Sequence, residues 1–132
     1  RIDLFPDLQD AYLDLIDYQE VRHDSAKVKA LLNDMLLNNP YELKGYRKLE
    51  SYVSYTRNYS FADSLFELMQ VKYENWDEVL ANIYWSKGNL AFYQKSSAEA
   101  NNFWEISRNY MRRYLPEDHK LIRQVGDLSQ KK

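Results

Sequence analysis

Apolar residues return at intervals of three and four along most of this chain, the spacing of one face of an α-helix. The first run predicts a helix from about Asp7 to His23, with Leu8, Ala11, Tyr12, Leu15, Ile16 and Tyr18 on its apolar side. Asp24-Ser25 can cap a second helix, because their side-chain oxygens accept the free amide protons of a first turn. That helix carries Val28, Leu31, Leu32, Met35 and Leu36. It stops at Asn38-Asn39-Pro40, since the residue before a proline avoids helical backbone. A third helix, from near Tyr41 to about Arg57, buries Tyr46, Leu49, Tyr52 and Val53. Asn58-Tyr59-Ser60 forms the next turn with Ser60 as cap, and a fourth helix follows with Ala62, Leu65, Phe66, Leu68 and Met69. The fifth holds Val79, Leu80, Ile83, Tyr84, Gly88 and Ala91. Ser96-Ser97 caps a sixth, which buries Ala100, Phe103, Trp104 and Tyr110 and is stopped by Pro116. Between Asp118 and Leu128, the residues Leu121, Ile122, Val125 and Leu128 again fall at helical offsets. Only three Gly and three Pro interrupt the chain, which suits helices joined by short turns rather than a hairpin-rich sheet.

The six long helices pair into a repeat. Counting from Tyr12, Tyr46 and Tyr84, the third residue on is Leu15, Leu49 and Lys87; the sixteenth is Val28, Ala62 and Ala100; the twentieth is Leu32, Phe66 and Trp104. The first interval is 34 residues and the second 38. The four extra residues fall near Glu74-Asn75-Trp76-Asp77, as a longer loop or an added turn of helix. A period of this size means stacked helical hairpins, and the last short helix closes the open end of the stack.

Composition narrows the picture further. A chain of 132 residues, 45% hydrophobic and 29% charged, suits a single soluble domain with a core. No apolar run reaches membrane-spanning length, and no secretory leader pattern is present. The first residue is Arg1 rather than Met, so a piece of a longer protein is expected. The compartment stays open, with a soluble cytoplasmic setting as the expectation. The chain has no Cys, which removes disulfides, thiolate metal sites and Cys nucleophiles together. The net charge of −2 does not draw it to phosphates, so nucleic acid is not an expected partner. Acids such as Asp3, Asp7, Asp10, Asp14, Asp17 and Glu20 crowd the start, and bases such as Arg112, Arg113, Lys120, Lys131 and Lys132 the end. The plain reading of that gradient is two solvated faces. His23 and His119 stand alone, with no metal-binding partner at helical spacing, and no phosphate loop or nucleophile elbow is found. Neither a metal nor a cofactor nor an enzymatic activity is expected.

The repeat resembles the tetratricopeptide family, whose degenerate 34-residue unit sets a large aromatic, then Leu and Gly, in one helix, Ala and an aromatic in the second, and Pro at the end. The copies run over about 9–42 with Tyr12, Leu15, Leu32 and Pro40; 43–76 with Tyr46, Leu49, Ala62 and Phe66; and 81–114 with Tyr84, Gly88, Ala100 and Trp104. Segment 118–129 caps them. Ile16 and Glu50 stand where the first helix usually has its small residue, Lys87 replaces the Leu, and Val28 replaces the second-helix Ala. The resemblance implies an all-α fold: a right-handed superhelical solenoid of three antiparallel helix hairpins with a short capping helix.

It also implies a concave groove lined by the first helix of each unit. Extending the register places Asp10, Leu13, Asp17 and Glu20 there from the first copy, and Lys44, Arg47, Ser51, Ser54 and Tyr55 from the second. Trp85, Asn89, Phe92 and Tyr93 come from the third. Asn89 would bond a peptide backbone, Arg47 a carboxylate, and Trp85 and Phe92 apolar side chains. The other reading of Trp85 and Phe92 is that they pack on the closing segment or a neighbouring helix. Relatives that grip the C-terminal carboxylate of chaperones use Lys and Asn where this chain has Leu13 and Asp17, so that sub-class is excluded. The expected function is protein–protein interaction within a larger chain, as an adaptor or regulatory part. Two alternatives are self-association into a homo-oligomer and a ligand-sensing domain closing round a small molecule or signalling peptide. An apolar pocket between the first and third units, with Trp85 in its wall, would favour the last.

Overall fold

A computed structural model of the chain describes residues 8–127, with side chains from residue 10 onward. Asp7, Leu128, the burial of Leu8, and the terminal charges Asp3, Lys131 and Lys132 lie outside the described residues. Those described form helices joined by turns, with no strand among them: α1 Leu8–Val21, α2 Ser25–Asn38, α3 Leu43–Thr56, α4 Tyr59–Lys72, α5 Asp77–Tyr93, α6 Ser97–Met111 and α7 Lys120–Gln124.

The repeat is written into the backbone of the turns. His23, Arg57 and Lys95 each follow their tyrosine by the same eleven residues, and they have φ of 58°, 63° and 66°. A left-handed residue reverses the chain after a helix, usually at glycine, because other side chains crowd the neighbouring carbonyl there. Here His23, Arg57 and Lys95 take that strained position, and the residue after each one stands at the N-cap of the next helix. Asp24 accepts the amide of Lys27 and Asn58 the amide of Phe61, whereas Ser96 occupies the same place without a side-chain cap bond. Asn58, not Ser60, is therefore the cap of α4; Ser60 donates to the Asn58 side chain instead. The four extra residues of the third unit enter as helix, since α5 begins seven residues before its tyrosine and α3 three before its own.

α1 packs on α2 and α3, α3 on α5, α2 on α4, and α5 against α6. The residues at the sixteenth and twentieth offsets, Val28, Ala62, Ala100, Leu32, Phe66 and Trp104, are all buried. One apolar cluster fills the space among α1 to α5, and a second joins α5 and α6 to Ile122 and Val125 of the closing segment. Gly88 is required where α5 meets α6: a Cβ there would fall within 3 Å of three atoms of the Trp104 indole. Lys87, the odd residue of the third copy, is half-buried with its ammonium over the rings of Tyr84 and Phe103. Burial in that place lowers its pKa.

Several expectations shift. Leu15 and Tyr18 are exposed, at 49% and 56%, because among the described residues nothing packs over that side of α1; Ile16, next to Leu15, is the fully buried one. Leu68 is likewise exposed on the outer side of α4. α3 starts at Leu43 rather than Tyr41, and α6 ends at Met111, ahead of Pro116. Among the described residues no helix is long and apolar enough to cross a membrane.

Candidate binding groove

α3 forms the floor of an open face, with α1 on one side and α5 and the closing segment on the other. Three clefts meet there at Ser51. One, of about 660 Å³, lies between α3, α5 and the closing segment and includes Arg47, Ser54, Trp85, Tyr93 and Asp127. A second, of about 520 Å³, lies between α1 and α3 and includes Leu13, Asp17, Lys44 and Lys48. A third, of about 680 Å³, sits at the turn end of α1 and α3, where Val21, Val28, Tyr52 and Tyr55 line it. Of the residues expected in a groove, Asp17, Lys44, Arg47, Ser51, Tyr55 and Trp85 thus border connected space.

Asn89 and Phe92 do not. Asn89 is fully buried, and its amide is already spent: it donates to both oxygens of Glu50 at 3.2 Å and accepts from the Trp104 indole at 3.1 Å. It has no free group with which to bond a partner's backbone. Phe92 is half-exposed and packs against Trp104 and Tyr93, with ring centroids 6.0 and 6.3 Å away. Trp85 is nearly covered. One part of it belongs to the cluster with Ile122 and Val125, and the Arg47 guanidinium lies 4.8 Å above its ring. Packing on the closing segment therefore describes Trp85, and packing on a neighbouring helix describes Phe92.

The residue that organises the groove floor is Glu50, which was singled out in the sequence only as a departure from the small-residue position. It is 2% exposed and sits between α3 and α5. Arg47 pairs with it, Ser86 donates to it at 2.6 Å, and Asn89 adds two more hydrogen bonds. A buried carboxylate is costly unless paired and fully hydrogen-bonded, and this one is both. The arrangement holds Arg47 over the Trp85 ring, so Arg47 is part of the groove wall before any partner arrives. Helical spacing had a signal for this: Glu50, Ser86 and Asn89 are polar residues on apolar helix faces, and polar groups there need partners.

Ion pairs also cross from α1 to α3 on this face. Lys48 donates to Asp17 at 2.7 Å and to Glu20 at 2.9 Å, and Lys44 reaches Asp10 at 3.5 Å. Burial works against the Lys48 ammonium, but the hydrogen bonds it donates to Asp17 and Glu20 outweigh it and leave its pKa above the ordinary lysine value. Burial is also the main cause of the raised phenol pKa of Tyr93 at the far wall. Among the described residues no group of three His, Asp or Glu side chains is placed to hold a metal ion.

Compared with protein-family models, curated proteins and solved structures, the chain matches none. What the face does has to be read from its own residues.

Proposed function

We propose that this chain is a non-enzymatic protein-interaction module. Its three hairpins stack as a short right-handed solenoid of tetratricopeptide type, and a partner's extended peptide or helix lies along α1, α3 and α5. The observation that carries this is the meeting of three open clefts at Ser51, on the face formed by the first helices of the hairpins. The matching turn geometry at His23, Arg57 and Lys95 supports the stack. The fixed Glu50–Arg47–Trp85 floor supports the groove, because a surface ordered in advance spends little entropy on binding.

A test is to select a phage-displayed library of 12-residue peptides on the whole chain and measure the winners against Ser51→Trp. Ser51 is exposed, so the indole fills the junction of the clefts without touching the core. Loss of binding of at least tenfold is expected; unchanged binding would place the partner elsewhere.

One observation favours the ligand-sensing alternative. The cleft at Trp85 falls within the roughly 300–1,000 Å³ typical of small-molecule sites. It lies between the second and third hairpins and the closing segment rather than between the first and third, and Arg47, Glu50 and Asp127 put charged groups into a lining that also holds Leu43, Trp85 and Tyr93. A sensing domain would show a thermal shift with a metabolite panel that Ser54→Trp removes.

A further inference from the structure

The cleft at the turn end of α1 and α3 differs from the rest of the face. Its rim carries two apolar side chains that the fold leaves almost bare: Tyr55 is 88% exposed and Val21 78%. Its floor includes Val28 and Tyr52, both buried, so a large apolar side chain entering between Val21 and Tyr55 would reach the apolar interior of the first two hairpins. Apolar pockets ringed by polar groups are where interfaces concentrate their affinity. The polar ring here is unbalanced. One ammonium, Lys48, serves two carboxylates, Asp17 and Glu20, which leaves one negative charge uncompensated. Asp24, on the same rim, is matched by Lys27, and His23 completes the edge. Asp17 keeps most of its side chain in water and can take a second cation.

Resting on the groove reading above, we infer that this cleft is the anchor point of the groove, and that its occupant is a protein segment carrying a large apolar side chain next to a Lys or Arg. The apolar group fills the space between Val21 and Tyr55, while the cation shares Asp17 and Glu20 with Lys48. A segment with an acid in that place would meet uncompensated carboxylate and be rejected, which makes the charge a specificity element rather than a source of affinity.

The experiment uses the same displayed 12-residue library, followed by anisotropy titrations of labelled winners. Variants are Tyr55→Ala, Val21→Ser and Asp17→Lys, each at an exposed position, with circular dichroism as the folding control. The expected winners share an apolar–basic pair, lose tenfold or more with Tyr55→Ala, and lose threefold or more with Asp17→Lys. Winners that Ser51→Trp blocks but that ignore Tyr55→Ala, or that carry an acid beside the apolar residue, would overturn this inference and leave the groove reading standing. Concentration-dependent light scattering abolished by Tyr55→Ala would also overturn it, since a second copy would then occupy the cleft. A library with no winners that Ser51→Trp blocks would remove the groove reading itself.

Discussion

Glu50 shows how one side chain ties two hairpins together. Its carboxylate receives donors from α3 and α5, and through Asn89 it reaches the Trp104 indole of α6. Glu50→Ala would leave the Arg47 charge and the amide of Asn89 without their acceptor. Breaking a buried pair by removing one partner costs about 3–5 kcal/mol, and the lower end is expected because Arg47 is partly in water. Glu50→Gln keeps the shape and most acceptor geometry, so urea unfolding is expected to rank it between the parent and Glu50→Ala. Equal stability of all three would mean the network contributes nothing. Gly88 is the other critical residue. Gly88→Ala forces a methyl against the rigid, buried Trp104 ring. Overpacking costs about 1–3 kcal/mol, and quenched or shifted tryptophan fluorescence is expected to accompany the loss of stability.

At the scale of the helix and its turn, equivalence between units makes a joint prediction. Non-glycine residues in left-handed backbone carry a cost on the order of 1 kcal/mol. His23→Gly, Arg57→Gly and Lys95→Gly are therefore expected to change the melting temperature in the same upward direction, after the loss of chain entropy in the unfolded state is set against the relief. Opposite signs among the three would show that the turns are not equivalent. The caps should differ instead. Removing a working cap costs about 1 kcal/mol, so Asn58→Ala is expected to destabilise, while Ser96→Ala, whose side chain makes no cap bond, is expected to change little. Much at this scale was legible beforehand: the three tyrosines set a register whose sixteenth and twentieth positions are buried in every unit. The register also points to Asn58 rather than Ser60 as the cap of α4, since Asn58 stands one place beyond Arg57 as Asp24 does beyond His23. Leu15 could not be read from its helix, because whether an apolar face is covered depends on what packs beside it, and helical spacing does not name that neighbour.

Across the whole molecule, the legible part was the face and the illegible part its interior chemistry. The register of the repeat says which side of α3 turns outward, and Lys44, Ser51 and Tyr55, expected on that side, border open clefts. It does not say which polar residue of one helix meets which of another. That is why Asn89 was expected to greet a partner and instead holds Glu50, and why the covering of Trp85 by the closing segment was left open. The same pairing gives the face its character, since Asp10, Asp17 and Glu20 of α1 are tied to Lys44 and Lys48 of α3. Three acids against two bases leave the α1–α3 side of the face slightly negative, with its apolar opening at the turn end.

The central claim is that a partner lies on the face of α1 and α3. Hydrogen–deuterium exchange of the whole chain, with and without a saturating library-selected peptide, tests it most directly. Slowed exchange concentrated in residues 10–24 and 44–56, absent in Ser51→Trp, is the predicted result. Slowed exchange centred on α4 and α6, or the same protection in Ser51→Trp, would contradict it.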